Sequence, residues 1–114
     1  MADLATFELK EYKRVDVVTV SGRIDSSNAA QFDEMMERLI DNGRNRIVLD
    51  MAGVNYMSSA GLRTMVNALR ASKKGGGDIR LANPSGRIME VLKLAGLESI
   101  FKTFDDQVGA VGSF

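Results

Sequence analysis

Residues 58–61 of the chain, SSAG, place two hydroxyl groups and two very small residues between a predicted strand and a predicted helix. A serine at a helix start caps the helix by accepting a backbone N–H, and this purely structural role is common for either Ser58 or Ser59. A capping box would also require Glu or Gln three residues later, where Gly61 and Leu62 stand instead. The remaining N–H groups and the helix dipole therefore favour an anion at this turn.

Gly61 falls inside the first turn of that helix, where glycine costs about 1 kcal/mol relative to alanine. This loss of helix stability indicates that another group approaches the turn closely. A phosphate-binding glycine loop would require GxGxxG spacing or a P-loop lysine, and SSAGLR has neither. Nucleotide binding by this turn is therefore disfavoured.

Two residue types that are common in catalytic and metal sites, cysteine and histidine, are missing from the sequence. The chain contains no cysteine and no histidine, so thiolate chemistry, disulfides and the commonest zinc ligands are absent. A catalytic serine at position 59 would require a general base, and the sequence shows neither that base nor a paired-carboxylate motif. We therefore expect a binding protein, not an enzyme, with no catalytic residues, no metal and no cofactor.

Composition and length favour one domain over residues 1–114, with 45% hydrophobic residues and enough chain for one core. Fifteen Lys and Arg balance fifteen Asp and Glu, so no net field attracts nucleic acid or an anionic membrane. The start MADLATFELKEYKR does not resemble a secretion signal, and no apolar run approaches the roughly 20 residues of a membrane span. We expect a cytoplasmic protein that binds neither nucleic acid nor membrane.

Short segments rich in β-branched or aromatic residues predict five strands. The first two are separated by polar residues around Lys13 and Arg14 and read as an antiparallel pair. The third is almost entirely apolar, which is typical of a strand covered on both faces, so we place it at the centre of the sheet. In chain order the segments are TFELKEY, RVDVVTVSG, NRIVLDM, DIRLA and SIFKTF.

Apolar residues at helical spacing predict three helices between these strands, and DDQVGAVGSF predicts a weak fourth helix or a frayed tail. The predicted starts are a variant capping box of Asn28 with Gln31, the turn near Ser59, and Asn83 as cap with Pro84 as first residue. Met35, Met36 and Met65 lie on apolar faces and are predicted core residues. The alternation predicts an α/β fold, a mixed, largely parallel sheet of about five strands with about four helices packed on it.

Two sequence segments resemble the STAS domain of the anti-sigma factor antagonists, which are small bacterial switch proteins. They are the stretch SGRIDSSNA and residues 46–97, which end in NPSGRIMEVLKLAGL with its closing GL. The family motif of aspartate, serine, a small hydroxyl residue, glycine and leucine matches Ser58, Ser59, Ala60, Gly61 and Leu62. The resemblance implies that a partner kinase phosphorylates Ser59. Ser58 replaces the family aspartate and is the alternative site of modification.

The resemblance also implies the partners. They are an anti-sigma factor that is itself a serine kinase, which the unphosphorylated chain binds, and a serine phosphatase; the chain itself is expected to be a monomer or a weak dimer. Asp25 would help to place the hydroxyl or a metal of the kinase's nucleotide, or is simply a solvated loop carboxylate. The implied partner-binding residues are Asp25, Ser26, Ser27, Ser58, Ser59, Ala60, Gly61 and Arg63.

Two other functions remain open at this point. The chain also resembles the soluble STAS subunit of bacterial lipid-transport complexes, which docks to an ATPase, although the presence of Ser59 disfavours that function. A STAS component of another signalling pathway is the second alternative. Arg63, Asn67 and Arg70 form a polar stripe that is either a solvated helix face or the border of a docking surface.

Overall fold

A computed structural model describes residues 5–114 and shows one five-stranded sheet. The strands lie in chain order across the sheet, with β1 antiparallel to β2 and every other neighbouring pair parallel. The mixed, largely parallel sheet predicted from the sequence is therefore confirmed. The strands are β1 Ala5–Glu11, β2 Asp16–Ile24, β3 Arg46–Met57, β4 Asp78–Ala82 and β5 Thr103–Phe104.

The four helices divide between the two faces of the sheet. They are α1 Ala29–Asp41, α2 Ser59–Lys74, α3 Gly86–Leu94 and α4 Gln107–Gly112. Side chains of α1, α2 and α3 share the larger core with alternate residues of the strands, while Ala110 of α4 packs with Val17 and Val48 on the other face. None of these helices, in the part of the chain that the structure describes, is long and apolar enough to cross a membrane.

Strand β3 lies at the centre of the sheet, as its apolar sequence predicted. Ile47 and Leu49 belong to the larger core, and Val48 belongs to the smaller one, because successive side chains of a strand point to opposite faces. Met36 and Met65 are buried in the larger core, which confirms their predicted packing role. β3 is also longer than predicted, since residues 52–57 continue the strand and do not form a loop.

Asp50, a buried carboxylate of β3, ties the C-terminal segment to the sheet. It accepts hydrogen bonds from Gln107 Nε2 at 2.8 Å, from Asn83 Nδ2 at 3.2 Å and from the amide of Ala52 at 3.1 Å. Three donors offset the loss of water around this side chain. The C-terminal residues therefore form a docked helix, α4, which the sequence left undecided between a weak helix and a frayed tail.

The predicted start of α3 is wrong, and the predicted start of α1 is confirmed without its capping box. Helix α3 begins two residues later than predicted, at Gly86 with Ser85 as its cap, because Asn83 takes a positive φ of 56° and its side chain bonds to Asp50. Asn28 is the N-cap residue of α1, but its side chain makes no capping bond and the predicted capping box is absent. The side-chain amide of Asn28 instead bonds to backbone groups of residues 23 and 25.

Strand β5 is also shorter than predicted, with only Thr103 and Phe104 in the sheet.

Candidate functional site

The site lies where two neighbouring strands, β2 and β3, end side by side. Ile24 and Met57, the last residues of these strands, are paired in the sheet. The amide of Ser58 donates to the carbonyl oxygen of Ile24 at 2.9 Å, which carries the strand pairing one residue further. The structure therefore brings the turn that contains Asp25, Ser26 and Ser27 next to the start of α2.

The two serines at the start of α2 have different environments. Ser58 is the N-cap, and its Oγ accepts a hydrogen bond from the amide of Gly61 at 3.3 Å. Ser59 is the first residue of the helix, and it is exposed. Within residues 5–114, the amides of Ser59 and Ala60 donate no hydrogen bond. The start of α2 therefore has one hydroxyl that caps the helix, Ser58, one exposed hydroxyl, Ser59, and two N–H donors.

Gly61 is buried against the ends of both strands. A Cβ atom at this position would overlap Met57 Sδ and would lie 2.8 Å from Ile24 Cγ2. The close approach that this glycine predicted is therefore made by side chains of the same chain. Glycine at residue 61 sets the distance between α2 and the sheet, and a contact of its backbone with a partner stays a prediction.

The turn after β2 is organised around Asp25. Its carboxylate accepts hydrogen bonds from the Ser27 hydroxyl at 2.5 Å and the Ser27 amide at 2.9 Å, and it lies 3.4 Å from Arg23 Nε. These hydrogen bonds, followed by the charge of Arg23, hold the pKa of Asp25 below its ordinary value. Asn28 Oδ1 accepts from the amide of Asp25 at 3.0 Å. Asp25 is therefore an ionised carboxylate in a preformed turn, and Ser26 is exposed beside it.

Sequence reasoning missed an arginine–tyrosine pair beside this turn. The Arg23 guanidinium carbon lies 3.9 Å from the centre of the Tyr56 ring, a distance at which the cation and the ring attract each other. The two residues are partners in the pairing of β2 with β3. No local sequence signal reveals this pair, because it depends on the register of two strands that are far apart in the chain.

A shallow depression runs along α2 on the side that faces α3. Ser59, Arg63, Asn67 and Arg70 line it together with Leu97 from beyond α3. The polar stripe predicted on the second helix therefore borders a concave surface that begins at Ser59.

Comparison with protein families settles the identity of the fold. The family model of the STAS domain matches residues 6–110 of the chain. The chain belongs to the STAS domain family.

Proteins with related sequences have a common description. BtrV of Bordetella bronchiseptica, assigned as an anti-sigma factor antagonist, is 29% identical to this STAS domain, with 86% of this chain and 84% of BtrV covered. The anti-sigma-B factor antagonist of Bacillus subtilis is 28% identical, with 91% of this chain and 94% of that protein covered. This STAS domain is thus similar to anti-sigma factor antagonists over most of its length.

Solved structures show the same fold. The unphosphorylated anti-sigma factor antagonist SpoIIAA superposes with a TM-score of 0.84 at 21% identity, covering 95% of each chain. The phosphorylated form of SpoIIAA, a Bacillus cell-fate determinant, superposes with a TM-score of 0.77 at 21% identity, with 95% of this chain and 98% of that chain covered. The STAS fold of SpoIIAA has therefore been solved both with and without phosphate.

Among the described residues, the hydroxyl of Ser59 has no hydrogen bond to a general base. Asp25 is held ionised by Ser27 and Arg23, and no hydrogen bond joins it to Ser59 within the described residues. A nucleophilic serine requires a base within hydrogen-bonding reach. The exposed hydroxyl, the free N–H donors and the arginines along α2 form instead a surface that accommodates a negatively charged group.

Proposed function

We propose that this STAS domain is an anti-sigma factor antagonist that binds a kinase-type anti-sigma factor and is released when Ser59 is phosphorylated. One observation carries the choice of residue. Ser59 is exposed at the first position of α2, whereas the Ser58 hydroxyl is engaged as the helix cap. A kinase would therefore reach the Ser59 oxygen without breaking the cap.

The proposed modification adds charge where the fold tolerates it. In the transfer, Ser59 Oγ displaces ADP from the γ-phosphoryl group of ATP, and a base of the kinase takes the hydroxyl proton. The phosphate brings a charge of about −1.5 to −2 to a helix N-terminus, where the helix dipole favours it. The partner loses affinity because the same charge is buried in, or repelled by, the opposing surface, and about 1.4 kcal/mol corresponds to a tenfold change.

The remaining parts of the proposal follow from this switch. Asp25, Ser26 and Ser27, on the turn next to the start of α2, and Arg63 on the helix itself would form the contact surface for the kinase, and a serine phosphatase would restore binding. This role makes the chain a binding protein of the cytoplasm, where kinase, ATP and sigma factor are present. The similarity to anti-sigma factor antagonists favours this function over that of a lipid-transport subunit.

The test is phosphorylation by the cognate kinase, followed by mapping of the phosphate. Incubation with the kinase and ATP is expected to add one phosphate, and fragment mass spectrometry is expected to locate it at Ser59. Ser58→Ala is the matched control, because it removes the neighbouring hydroxyl and should leave the added mass unchanged, whereas Ser59→Ala should abolish it. A phosphate on Ser58, Ser26 or Ser27 would contradict the proposal.

A further inference from the structure

Arg63 lies one helical turn after Ser59 on the same side of α2. Both residues are exposed and line the depression between α2 and α3. Four residues correspond to a rise of about 6 Å along a helix. Side chains of a helix also lean toward its N-terminus, so a long side chain covers the turn before its own. A long side chain at residue 63 can therefore extend back toward the Ser59 hydroxyl.

Among the described residues, the guanidinium of Arg63 forms no ion pair or hydrogen bond. Arg23, Arg38, Arg44 and Arg80 each pair with a carboxylate. Over residues 5–114, Arg63 has neither an ion pair nor a hydrogen-bonded acceptor for its side chain. Arg70 is equally unpaired and borders the same depression, but it lies eleven residues after Ser59, about 16 Å along the helix. Of these two free arginines, Arg63 is the one within reach of residue 59.

We propose that Arg63 binds the phosphate of phosphorylated Ser59 within the same chain, an inference that rests on the proposed function. The planar guanidinium donates two parallel N–H groups to phosphate oxygens, a geometry that lysine does not provide. The amides of Ser59 and Ala60, which lie in the first turn of α2, add to this anion site. Phosphorylation then also withdraws Arg63 from the surface that the unphosphorylated chain offers to its partner.

A chain with phosphoserine incorporated at position 59 during translation tests the contact without any kinase. Titration followed by ³¹P NMR gives the midpoint of the second phosphate ionisation. We expect Arg63→Gln to raise this midpoint by about half a unit, because a nearby cation favours the doubly charged phosphate. Arg63→Lys should restore part of the shift, and Arg70→Gln, the matched control on the same helix, should leave the midpoint unchanged.

Arg23, near the end of β2, and Asp25, on the turn that follows, are the charged residues where this strand ends beside the start of α2. Both are present in every variant, so they do not contribute to the difference between variants. Equal midpoints for the parent and Arg63→Gln would overturn the proposed contact and leave phosphorylation of Ser59 by the kinase unaffected. A kinase that modifies another residue would reject the proposed function, whereas the NMR result would still decide the contact.

The affinity of the unphosphorylated chain for the kinase tests whether Arg63 belongs to the partner surface. The unphosphorylated Arg63→Gln chain is expected to bind the kinase about threefold to tenfold more weakly than the parent, as expected for an exposed interface charge. Circular dichroism and a thermal melt establish that the variant is folded. Unchanged affinity in a folded variant would show that Arg63 is not part of the partner surface.

Discussion

Helices α2 and α3 begin in the same way and yet present different surfaces. Each follows a parallel strand, and each has a serine cap with extended backbone, Ser58 and Ser85. The cap hydroxyls accept from the third helical amide at 3.3 Å in α2 and 3.2 Å in α3. The serine cap therefore does not by itself distinguish the candidate site from an ordinary helix start.

The difference between the two starts lies in the residues that follow the cap. The first helical residue is Ser59 in α2 and Gly86 in α3, so only α2 offers a hydroxyl there. One turn later the residue is Arg63 in α2 and Glu90 in α3. A phosphate at the first position would meet a cation in α2 and a carboxylate in α3. Under the proposed function, an exposed hydroxyl at the first helical position and a cation one turn later are what distinguish the start of α2 from that of α3.

The largest expected effect is on stability and concerns Gly61, the third residue of α2. Gly61→Ala is expected to lower the free energy of unfolding by about 2 kcal/mol, because the added methyl overlaps Met57 Sδ and approaches Ile24. Gly86→Ala is the matched control, since nothing lies within 4 Å of an added Cβ and alanine favours a helix. Urea denaturation measures both. An unchanged or higher stability for Gly61→Ala would show that the close packing of α2 on the strand ends is unimportant.

The second prediction compares a carboxylate at the first position of each helix. Ser59→Asp is expected to weaken binding of the kinase at least about tenfold, while Gly86→Asp leaves it unchanged. Ser59→Ala should keep the affinity of the parent and become insensitive to ATP. Titration calorimetry gives the affinities, and thermal melts should show no loss for either aspartate, since a carboxylate suits a helix N-terminus. Equal weakening by the two aspartates would remove the distinction between the two starts.

The caps themselves are expected to contribute similarly. Ser58→Ala and Ser85→Ala should each lower the free energy of unfolding by about 1 kcal/mol, because each leaves one helical amide without its acceptor. Urea denaturation of the two variants under identical conditions makes the comparison direct. A much larger loss for Ser58→Ala would mean that the hydroxyl also supports the neighbouring turn.

The smallest predicted effect concerns the start of α1. Unlike α2 and α3, this helix has no side-chain cap, and the turn that contains Asp25 precedes it. The pKa of Asp25 is lowered in the folded chain by Ser27 and then Arg23. Its contribution to stability is therefore present above the ordinary value of 3.8 and is lost as the pH falls through the lower folded value. Asp25→Asn should be less stable than the parent near neutral pH and should approach it in urea denaturation as the pH falls below 3.8. A constant difference across this range would contradict the lowered pKa.

Sequence alone predicts the elements of this fold better than their contacts. Strand β3 and helix α2 were predicted because a buried strand and an amphipathic helix leave strong periodic patterns in the sequence. The role of Asn83 was not predictable, because its partner Asp50 lies 33 residues away in the chain. The Asn83 side chain donates a hydrogen bond to Asp50 and therefore does not cap α3. The same reason hides the pairing of Ile24 with Met57, which places Asp25 beside Ser59.

The roles of the site residues were also only partly predictable from the sequence. The motif selected residues 58–61, but it left the roles of the two serines open. Their roles differ because Ser58 adopts extended backbone and points its oxygen at the Gly61 amide, while Ser59 is already helical. This distinction depends on the position at which the helix starts, and sequence patterns locate helix ends less well than helix interiors.

The hydrogen bond from the Ser58 amide to Ile24 has a consequence for how an enzyme would recognise this substrate. The residues that surround Ser59 come from segments that are separated in the chain and are held together by this bond and by the β2–β3 pairing. A short synthetic peptide that spans residues 52–66 contains the serine but not Asp25, Ile24 or the sheet. For a kinase that contacts this surface, specificity would reside in a folded epitope and not in a linear consensus motif. Searches for substrates based on flanking sequence alone would then overlook proteins of this kind.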